Sequence, residues 1–320
     1  MSIIETAGLS KTFKSRRGLV EAVKSVDMHV EEGEIFGFLG PNGAGKTTTM
    51  RILSTLMQPT GGHAKVVGYD LAREPAKVRE KIGYVSQAGG VDIAATGREN
   101  LELQARLYRL DAATAKRRAS ELIVALQLET FANRPAKTYS GGQKRRLDIA
   151  LGMVHHPPLL FLDEPTTGLD PQSRAHLWEE VRKLRDSGTT VFLTTHYLDE
   201  ADALCDRLCI IDGGMIVAEG TPDSLKRQVA GDVVTVGLNT QNGALKEAHN
   251  LLGKQDFVRE IQADDEHLRL YVERGEEALP NILRVLDGAG LGLQTISLAR
   301  PSLDDVFLRQ TGRSLREAEA

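Results

Sequence analysis

The sequence has few of the residues that build disulfide frameworks or structural metal sites. Its 320 residues include only two cysteines, Cys205 and Cys209. A structural zinc site takes about four ligands, and no second pair of cysteines is present to complete one. The two cysteines are four residues apart, so they would share one face of the segment if it were helical. We expect both to be buried free thiols.

Long apolar runs and an excess of positive charge are also missing. No stretch approaches the roughly 20 apolar residues of a membrane span, and the N-terminus lacks the apolar core of a signal peptide. The formal net charge is -4 and the isoelectric point is near 6.1, which gives no general reason to expect nucleic acid as the main partner. The length allows about two domains. These features predict a cytosolic protein that owes any membrane role to a partner.

A buried strand, a glycine-rich loop and a helix follow one another early in the chain. The apolar run at residues 35–39 has the continuity of a strand buried on both faces, and a helix continues through Met50 and Leu53. Between them, glycines would let backbone N–H groups surround phosphates, and the helix N-terminus adds positive charge. Lys46 would supply a cation, and the Thr47 hydroxyl would ligate Mg²⁺. The predicted nucleotide-binding residues are Gly40, Pro41, Asn42, Gly43, Ala44, Gly45, Lys46, Thr47 and Thr48.

Two later apolar runs end in polar residues. Residues 159–162 lead into Asp163 and Glu164, and residues 189–195 lead into His196. Ligands of parallel sheets bind beyond the carboxyl ends of the strands, so these side chains should face the phosphate loop. We expect Asp163 to hold Mg²⁺ through its water shell and Glu164 to orient or deprotonate the attacking water. His196 is expected to contact the γ-phosphate, with a cap or a packed ring as the alternative.

The segment at residues 88–138 reads as a helical insertion into an α/β core. Thr96 and Glu99 form a capping-box pattern, and Asp111 is suited to cap the next helix. Farther on, Asp170 precedes a proline that opens another helix, so it can act as an N-cap as well as a functional residue.

The last part of the chain has a different pattern. Residues 231–300 read as strands and helices in the order β-α-β-β-α-β, which is compatible with a small ferredoxin-like α+β domain. The tail, residues 301–320, predicts a helix capped by Ser302 and Asp305 and ended by Gly312. A regulatory or dimer-supporting module is the default interpretation of this region.

In their order, these motifs resemble the ATP-binding subunit of an ABC transporter over roughly residues 1–225. GPNGAGKTT at 40–48 looks like the Walker A loop, YVSQ at 84–87 like the Q-loop, and SGGQ at 140–143 like the family signature. LLFLDEP is similar to Walker B, GLD at 168–170 to the D-loop, and TTH at 194–196 to the H-loop. The resemblance implies a P-loop cassette at residues 1–230, with a β-rich N-terminal subdomain and the helical insertion.

The resemblance also implies roles that the local patterns do not give. Two such cassettes pack head to tail, so that the signature turn of one caps the ATP of the other. Gln87 would contact Mg²⁺ and the attacking water, Phe13 would stack on adenine, and Asp170 would belong to the shared site. The signature residues assigned to the partner's nucleotide are Ser140, Gly141, Gly142 and Gln143. The following basic triplet, Lys144 to Arg146, either adds to the positive potential of the helix N-terminus at the signature or forms a solvated helix face.

The tail is similar to that of ATPase subunits of drug- and antibiotic-resistance exporters, such as the daunorubicin-type pumps. We therefore expect an ATP- and Mg²⁺-dependent motor at the cytoplasmic face of the cell membrane, acting as a homodimer or a paired ATPase subunit. It would work with a polytopic permease that moves a drug, antibiotic or lipid-like compound, without nucleic acid. Two alternatives stay open: an importer ATPase, which would commonly carry an all-β accessory domain, and a soluble ABC-type ATPase acting on ribosomes or DNA.

Overall fold

The chain folds into two compact units. The structure is a computed structural model that describes residues 1–15, 18–228, 231–238, 244–263, 267–299 and 301–315. The first unit comprises Met1–Pro222 together with Leu315, and the second comprises Asp223–Ser314. The sequence-based boundary was residue 230, with the tail as a separate element. In the structure, the second unit begins earlier and includes the tail helix, while residues 229–230 and 316–320 lie outside the described part.

An antiparallel sheet forms the N-terminal part of the first unit. The order of its strands is β2-β1-β4-β5. Their bounds are β1 Ser2–Ser15, β2 Gly18–Glu31, β4 Gly61–Val66 and β5 Tyr69–Asp70. On β2, alternating residues are buried between exposed ones, as expected for a sheet with one face against a core. The predicted β-rich N-terminal subdomain is confirmed.

A six-stranded sheet forms the centre of the first unit. The order is β10-β9-β3-β8-β7-β6, with parallel pairing except between β9 and β10. The bounds are β3 Ile35–Leu39, β6 Ile82–Val85, β7 Leu159–Asp163, β8 Thr190–Thr195, β9 Arg207–Asp212 and β10 Met215–Gly220. Every residue of β3, β7 and β8 is buried. The helices around this sheet are α1 Lys46–Leu53, α2 Pro75–Lys81, α6 Pro171–Asp186 and α7 Leu198–Leu204.

Three phenylalanines fix the register of the central strands. Phe36 on β3 and Phe161 on β7 are both paired with Phe192 on β8, which lies between them. The ring centroids are 5.7 Å apart for Phe36 and Phe192 and 5.5 Å apart for Phe161 and Phe192. This row aligns the carboxyl ends of the three strands, so the segments that follow them meet at one edge of the sheet.

The helical insertion begins later than the sequence suggested. Its elements are α3 Gly97–Leu107, α4 Ala112–Ala125 and a 3₁₀ turn at Ala136–Thr138, followed by α5 Gly141–Gly152. Residues 88–96 are not helical. The predicted capping box is present, since the Glu99 amide donates to Thr96 Oγ1 at 3.2 Å and the Thr96 amide donates to Glu99 Oε2 at 2.8 Å. Asp111 caps α4.

The second unit has the predicted β-α-β-β-α-β order. Its elements are α8 Pro222–Gln228, β11 Asp232–Leu238, α9 Ala244–Leu252, β12 Val258–Ala263, β13 His267–Val272, α10 Gly275–Gly288, β14 Leu293–Ala299 and α11 Leu303–Thr311. The sheet order β12-β13-β11-β14, with antiparallel pairing throughout, is that of a ferredoxin-like fold. Within this unit, Arg309 on α11 donates to the Gln228 carbonyl at the end of α8 at 2.6 Å.

Both cysteines are buried free thiols, as predicted. They do not share a helix face, however, because Cys205 follows the end of α7 and Cys209 lies within β9. Over the described residues, we find no helix that is both long and apolar enough to cross a membrane.

Candidate functional site

The loop between β3 and α1 is built on glycines that the fold requires. Gly43 and Gly45 have φ values of 80° and 106°, in the left-handed region that favours glycine. A Cβ at Gly40 would lie 2.2 Å from the Ile211 carbonyl oxygen, and one at Gly45 would lie 2.4 Å from that of Ala22. The loop is therefore pressed against two strands, and its shape leaves no room for larger side chains at these two positions.

Lys46 brings a buried cation to the loop. Its ammonium donates to the carbonyls of Gly40 at 2.7 Å and Pro41 at 3.0 Å. Its Nζ also lies 3.6 Å from Glu164 Oε1, and both side chains are less than 10% exposed. A phosphate in this loop would meet a charge that is already positioned.

Asp163 ends β7 with its carboxylate turned toward the loop. Its Oδ1 accepts hydrogen bonds from Thr47 Oγ1 at 3.1 Å and from Thr194 Oγ1 at 2.7 Å. Hydroxyl and carboxylate oxygens are the ligands that Mg²⁺ takes in nucleotide sites. This pair of residues, on α1 and β7, fits such an ion.

Glu164 is held by polar contacts on a strained backbone. Its φ is 45°, unusual for a residue with a side chain, and its amide donates to Thr194. Its Oε2 accepts from Gln87 Nε2 at 3.1 Å and from Thr167 Oγ1 at 3.2 Å. The Nδ1 of His196 lies 3.4 Å from the same oxygen. These contacts fix the orientation of the carboxylate.

The pKa of the Glu164 carboxyl is lowered from its usual value. The contact with His196 is the largest cause, and the positive charge of Lys46 and the Thr167 hydroxyl act in the same direction, while burial opposes them. A lowered pKa keeps the carboxylate ionised at neutral pH, which is the form that can accept a proton from water.

The loop and the carboxylate enclose a pocket of about 220 Å³. The residues that line it are Ala22, Asn42, Gly43, Gly45, Lys46, Thr47, Thr48, Gln87 and Glu164. Sequence reasoning missed Ala22, because an alanine in the middle of β2 carries no chemical signal. Its position beside Gly45 depends on how the N-terminal sheet packs against the loop.

The signature turn stands apart from this pocket. The part of the chain that the structure describes contributes none of Ser140, Gly141, Gly142 or Gln143 to the lining. Instead, Ser140 caps α5 in a capping box, since its Oγ accepts from the Gln143 amide at 3.2 Å and Gln143 Oε1 accepts from the Ser140 amide at 3.0 Å. Ser140 and Gly141 are exposed. The turn is an ordered, solvent-facing helix N-terminus.

Phe13 and Asp170 are also outside the described lining of the pocket. Phe13 lies on β1, is 37% exposed and has the Lys11 ammonium 5.4 Å from its ring centre. Asp170 caps α6 and accepts from the Ser173 amide at 2.9 Å. The structure therefore shows the capping role of Asp170 and leaves the predicted nucleotide contacts of both residues as predictions.

Arg145 contradicts the interpretation of the basic triplet as a solvated face. The Arg145 side chain is only 7% exposed. Its guanidinium donates to the carbonyls of Ser86 at 2.7 Å, Pro165 at 2.8 Å and Asp163 at 2.9 Å. Burial lowers the pKa of the guanidinium, and the carboxylates of Asp148 and Asp163 oppose that effect. Arg145 therefore connects α5 to the segment before Gln87 and to the residues on either side of Glu164.

Comparisons with known proteins agree with this geometry. Residues 23–167 match the family described as ABC transporter, and residues 220–311 match the C-terminal domain of ATP-binding protein DrrA1-3-like. The chain is 44% identical over 311 residues to the daunorubicin resistance ATP-binding protein DrrA2 of Streptomyces coeruleorubidus, with 97% of each protein covered. It is 39% identical over 309 residues to the Nod factor export ATP-binding protein I of Cupriavidus pinatubonensis, with 95% of this chain and 90% of the relative covered.

Among solved structures, the chain is similar to a dimeric ATP-binding cassette in a post-hydrolysis state bound to ADP and Pi. The TM-score is 0.62 and the identity is 29%, over 68% of this chain and 98% of the other.

Proposed function

Because the chain belongs to the family of ATP-binding subunits of ABC transporters, and is an ATPase, we propose that it is the motor of a membrane exporter. In this proposal, ATP closes a pair of cassettes head to tail, and closure drives efflux of a drug-, antibiotic- or lipid-like compound. The main observation behind the proposal is that the phosphate pocket and the exposed signature turn lie at separate places in the same chain.

The glycine at position 141 supports a role for that turn outside its own chain. Among the described residues, a Cβ at Gly141 would meet only the Leu169 side chain, at an ordinary contact distance of 3.5 Å, and the φ of Gly141 is not positive. The conformation and packing of the chain therefore do not demand glycine there. A bare helix N-terminus suits the close approach of an anion, and the γ-phosphate held by a second cassette is that anion in our proposal.

Within each pocket, the chemistry is positioning followed by proton transfer. The loop amides and Lys46 bind the phosphates, and Glu164, oriented by Gln87 and His196, accepts a proton from the attacking water. Thr47 and Asp163, with the Gln87 amide oxygen as a further acceptor, would hold Mg²⁺, which neutralises charge on the phosphates. We assign the γ-phosphate contact to His196.

The cycle follows from differential binding. ATP that contacts both a pocket and a partner's signature turn binds the closed pair better than the open one, so it shifts the population toward closure. Hydrolysis removes the phosphate that joins the two chains. Pairing with a second copy or with a related ATPase subunit satisfies this geometry equally.

An exposed apolar stripe on the helical insertion supports a protein partner at the membrane. Leu103 and Leu107 on α3 are 58% and 70% exposed, and their spacing of four residues puts them on one face of the helix. Ile93, in the segment that precedes α3, is 56% exposed as well. We assign the stripe to contact with a polytopic permease, which would place the chain peripherally at the cytoplasmic face of the membrane.

The C-terminal unit favours export over import. It is mixed α+β, whereas the importer alternative would commonly carry an all-β accessory domain. The relatives named for daunorubicin resistance and Nod factor export support an exported compound that is drug-, antibiotic- or lipid-like. The same two names differ in cargo, which is consistent with substrate contacts residing in the membrane subunit.

The test uses Glu164→Gln, which keeps the size of the side chain and removes the base. We expect this variant to bind ATP, to lose nearly all turnover and to accumulate as an ATP-bound dimer. Affinity purification of the tagged variant from detergent-solubilised cells with ATP should then co-elute a polytopic membrane protein. Recovery of ribosomes or DNA-repair proteins without a membrane protein would reject the exporter, and normal turnover would remove Glu164 from its role.

A further inference from the structure

Arg145 joins three segments that meet at the site: α5, the Q-loop and the segment that carries Glu164. It lies on α5, and its guanidinium donates to carbonyls in the Q-loop, at Ser86, and around the catalytic carboxylate, at Asp163 and Pro165. A buried charge is costly to desolvate, so an apolar side chain could fill this volume more cheaply. The planar guanidinium instead gives three directed bonds, which fix the positions of the backbone segments that carry Gln87 and Glu164.

Asp148 holds the same loop from the next turn of α5. Its Oδ1 accepts from the Gly90 amide at 2.7 Å, and a Cβ at Gly89 would lie 2.7 Å from its Oδ2. Arg145 and Asp148 therefore hydrogen-bond to the Q-loop on either side of Gln87, at Ser86 and at Gly90. We call these two residues the α5 clamp.

The α5 clamp and the signature turn belong to one short helix. The turn at Ser140 caps α5, and Arg145 follows five residues later, a rise of about 7.5 Å along a rigid element. Any displacement of the capped end of α5 is therefore passed directly to the clamp. The clamp in turn contacts the two backbone segments that position Gln87 and Glu164, which lie 3.1 Å apart through Nε2 and Oε2.

We propose that Arg145 is a positioning residue that couples the two ATP sites of a pair of cassettes. When the nucleotide of the partner seats on the signature turn, α5 moves as a unit and the clamp sets Gln87 and Glu164 of its own chain. Each site is thereby switched on by nucleotide in the other. This inference rests on the proposed head-to-tail pairing and adds the route by which the paired sites communicate.

Arg145→Lys tests the coupling, with Arg146→Lys as the matched control on the same helix. Arg146 faces the helical insertion, donating to the Gln127 carbonyl at 3.2 Å and lying 5.2 Å from the Phe131 ring. A lysine at position 145 keeps the charge but not the three-way fork. We expect kcat to fall about 10- to 100-fold, the size of effect that small misplacements of catalytic groups cause, with ATP affinity of the monomer within about twofold. The Hill coefficient for ATP should fall toward 1, and Arg146→Lys should change none of these by more than about twofold.

Mixed dimers show whether the defect acts within the chain that carries it. In a dimer of Arg145→Lys with Glu164→Gln, the remaining base lies in the chain with the damaged clamp, and turnover should be slow. With both substitutions in one chain and the wild-type sequence in the other, the remaining base has an intact clamp, and turnover should match that of a wild-type/Glu164→Gln dimer.

Equal rates in the two mixed dimers would overturn the coupling, as would Arg145→Lys that behaves like Arg146→Lys. If Glu164→Gln forms no ATP-dependent dimer at all, the head-to-tail pairing fails, which is a separate result from dimers that form and show equal rates. Asp148→Asn in the same mixed dimers provides the test if Arg145→Lys does not fold.

Discussion

Replacing Gly141 by alanine should leave the folding of the single chain intact and weaken the ATP-dependent pairing of two cassettes. Gly141 is the first residue of α5, it is exposed, and its added Cβ would be 3.5 Å from Leu169. Alanine favours a helix over glycine by about 0.5–1 kcal/mol. The free energy of unfolding of the first unit should therefore stay the same or rise slightly.

The same methyl group should weaken the pairing of cassettes. It would separate the N-terminal amides of α5 from the partner's γ-phosphate, and a hydrogen bond to a charged group contributes about 1.5–3 kcal/mol. A homodimer has two such turns, so the loss of one bond at each costs about 3–6 kcal/mol. That range corresponds to a dimer dissociation constant raised about 140- to 20,000-fold.

Light scattering with ATP can measure this difference in the Glu164→Gln background, where hydrolysis does not interfere. Binding of a fluorescent ATP analogue to the monomer should be unchanged by Gly141→Ala. The control is Gly288→Ala, which makes the same change at an exposed position of α10 with open space around the added Cβ. Dimer formation that survives Gly141→Ala in this background, together with unchanged turnover of the single Gly141→Ala variant, would refute the assignment of the signature turn to a partner's nucleotide.

Two further predictions concern the base and the membrane partner. Thr167→Val removes a hydrogen bond that lowers the pKa of Glu164, so this pKa should rise toward its usual value. The acid limb of the pH profile of kcat should then move to higher pH, and an unmoved limb would show that Glu164 is not the group that titrates there. Replacing Leu103 and Leu107 together by glutamine should leave the ATPase activity of the isolated subunit intact and reduce co-purification of the permease at least tenfold, about 1.4 kcal/mol of binding. Val124→Gln, at a 63% exposed position on α4, is the control, and equal co-purification of both variants would reject the stripe as the docking surface.

Local patterns were sufficient to predict most of the fold. The apolar runs that became β3, β7 and β8 are continuous because both faces of these strands are covered. The C-terminal β-α-β-β-α-β order was visible from alternation and helical spacing, and the sheet order confirms a ferredoxin-like topology. The gathering of Lys46 and Glu164 at one edge followed from the rule for parallel sheets, before any distance was known.

Features that depend on distant partners could not be read in this way. The burial of Arg145 comes from carbonyls 18, 20 and 59 residues away, while its neighbours in sequence look like an ordinary basic helix face. Ala22 enters the pocket only because the N-terminal sheet lies against the loop. The pair Cys205 and Cys209 has helical spacing, yet a strand begins between them because β9 pairs with β3.

At Glu164, an unfavourable backbone conformation and favourable side-chain contacts occur in one residue. A side-chain-bearing residue in a sparsely populated conformation costs about 1–3 kcal/mol, and glycine would adopt a φ of 45° without that penalty. A substitution to glycine would relieve this strain, but it would also remove the carboxylate that pairs with the buried Lys46 and accepts hydrogen bonds from Gln87 and Thr167. The change in the free energy of unfolding on Glu164→Gly therefore measures how far these contacts outweigh the strain of the backbone that presents them.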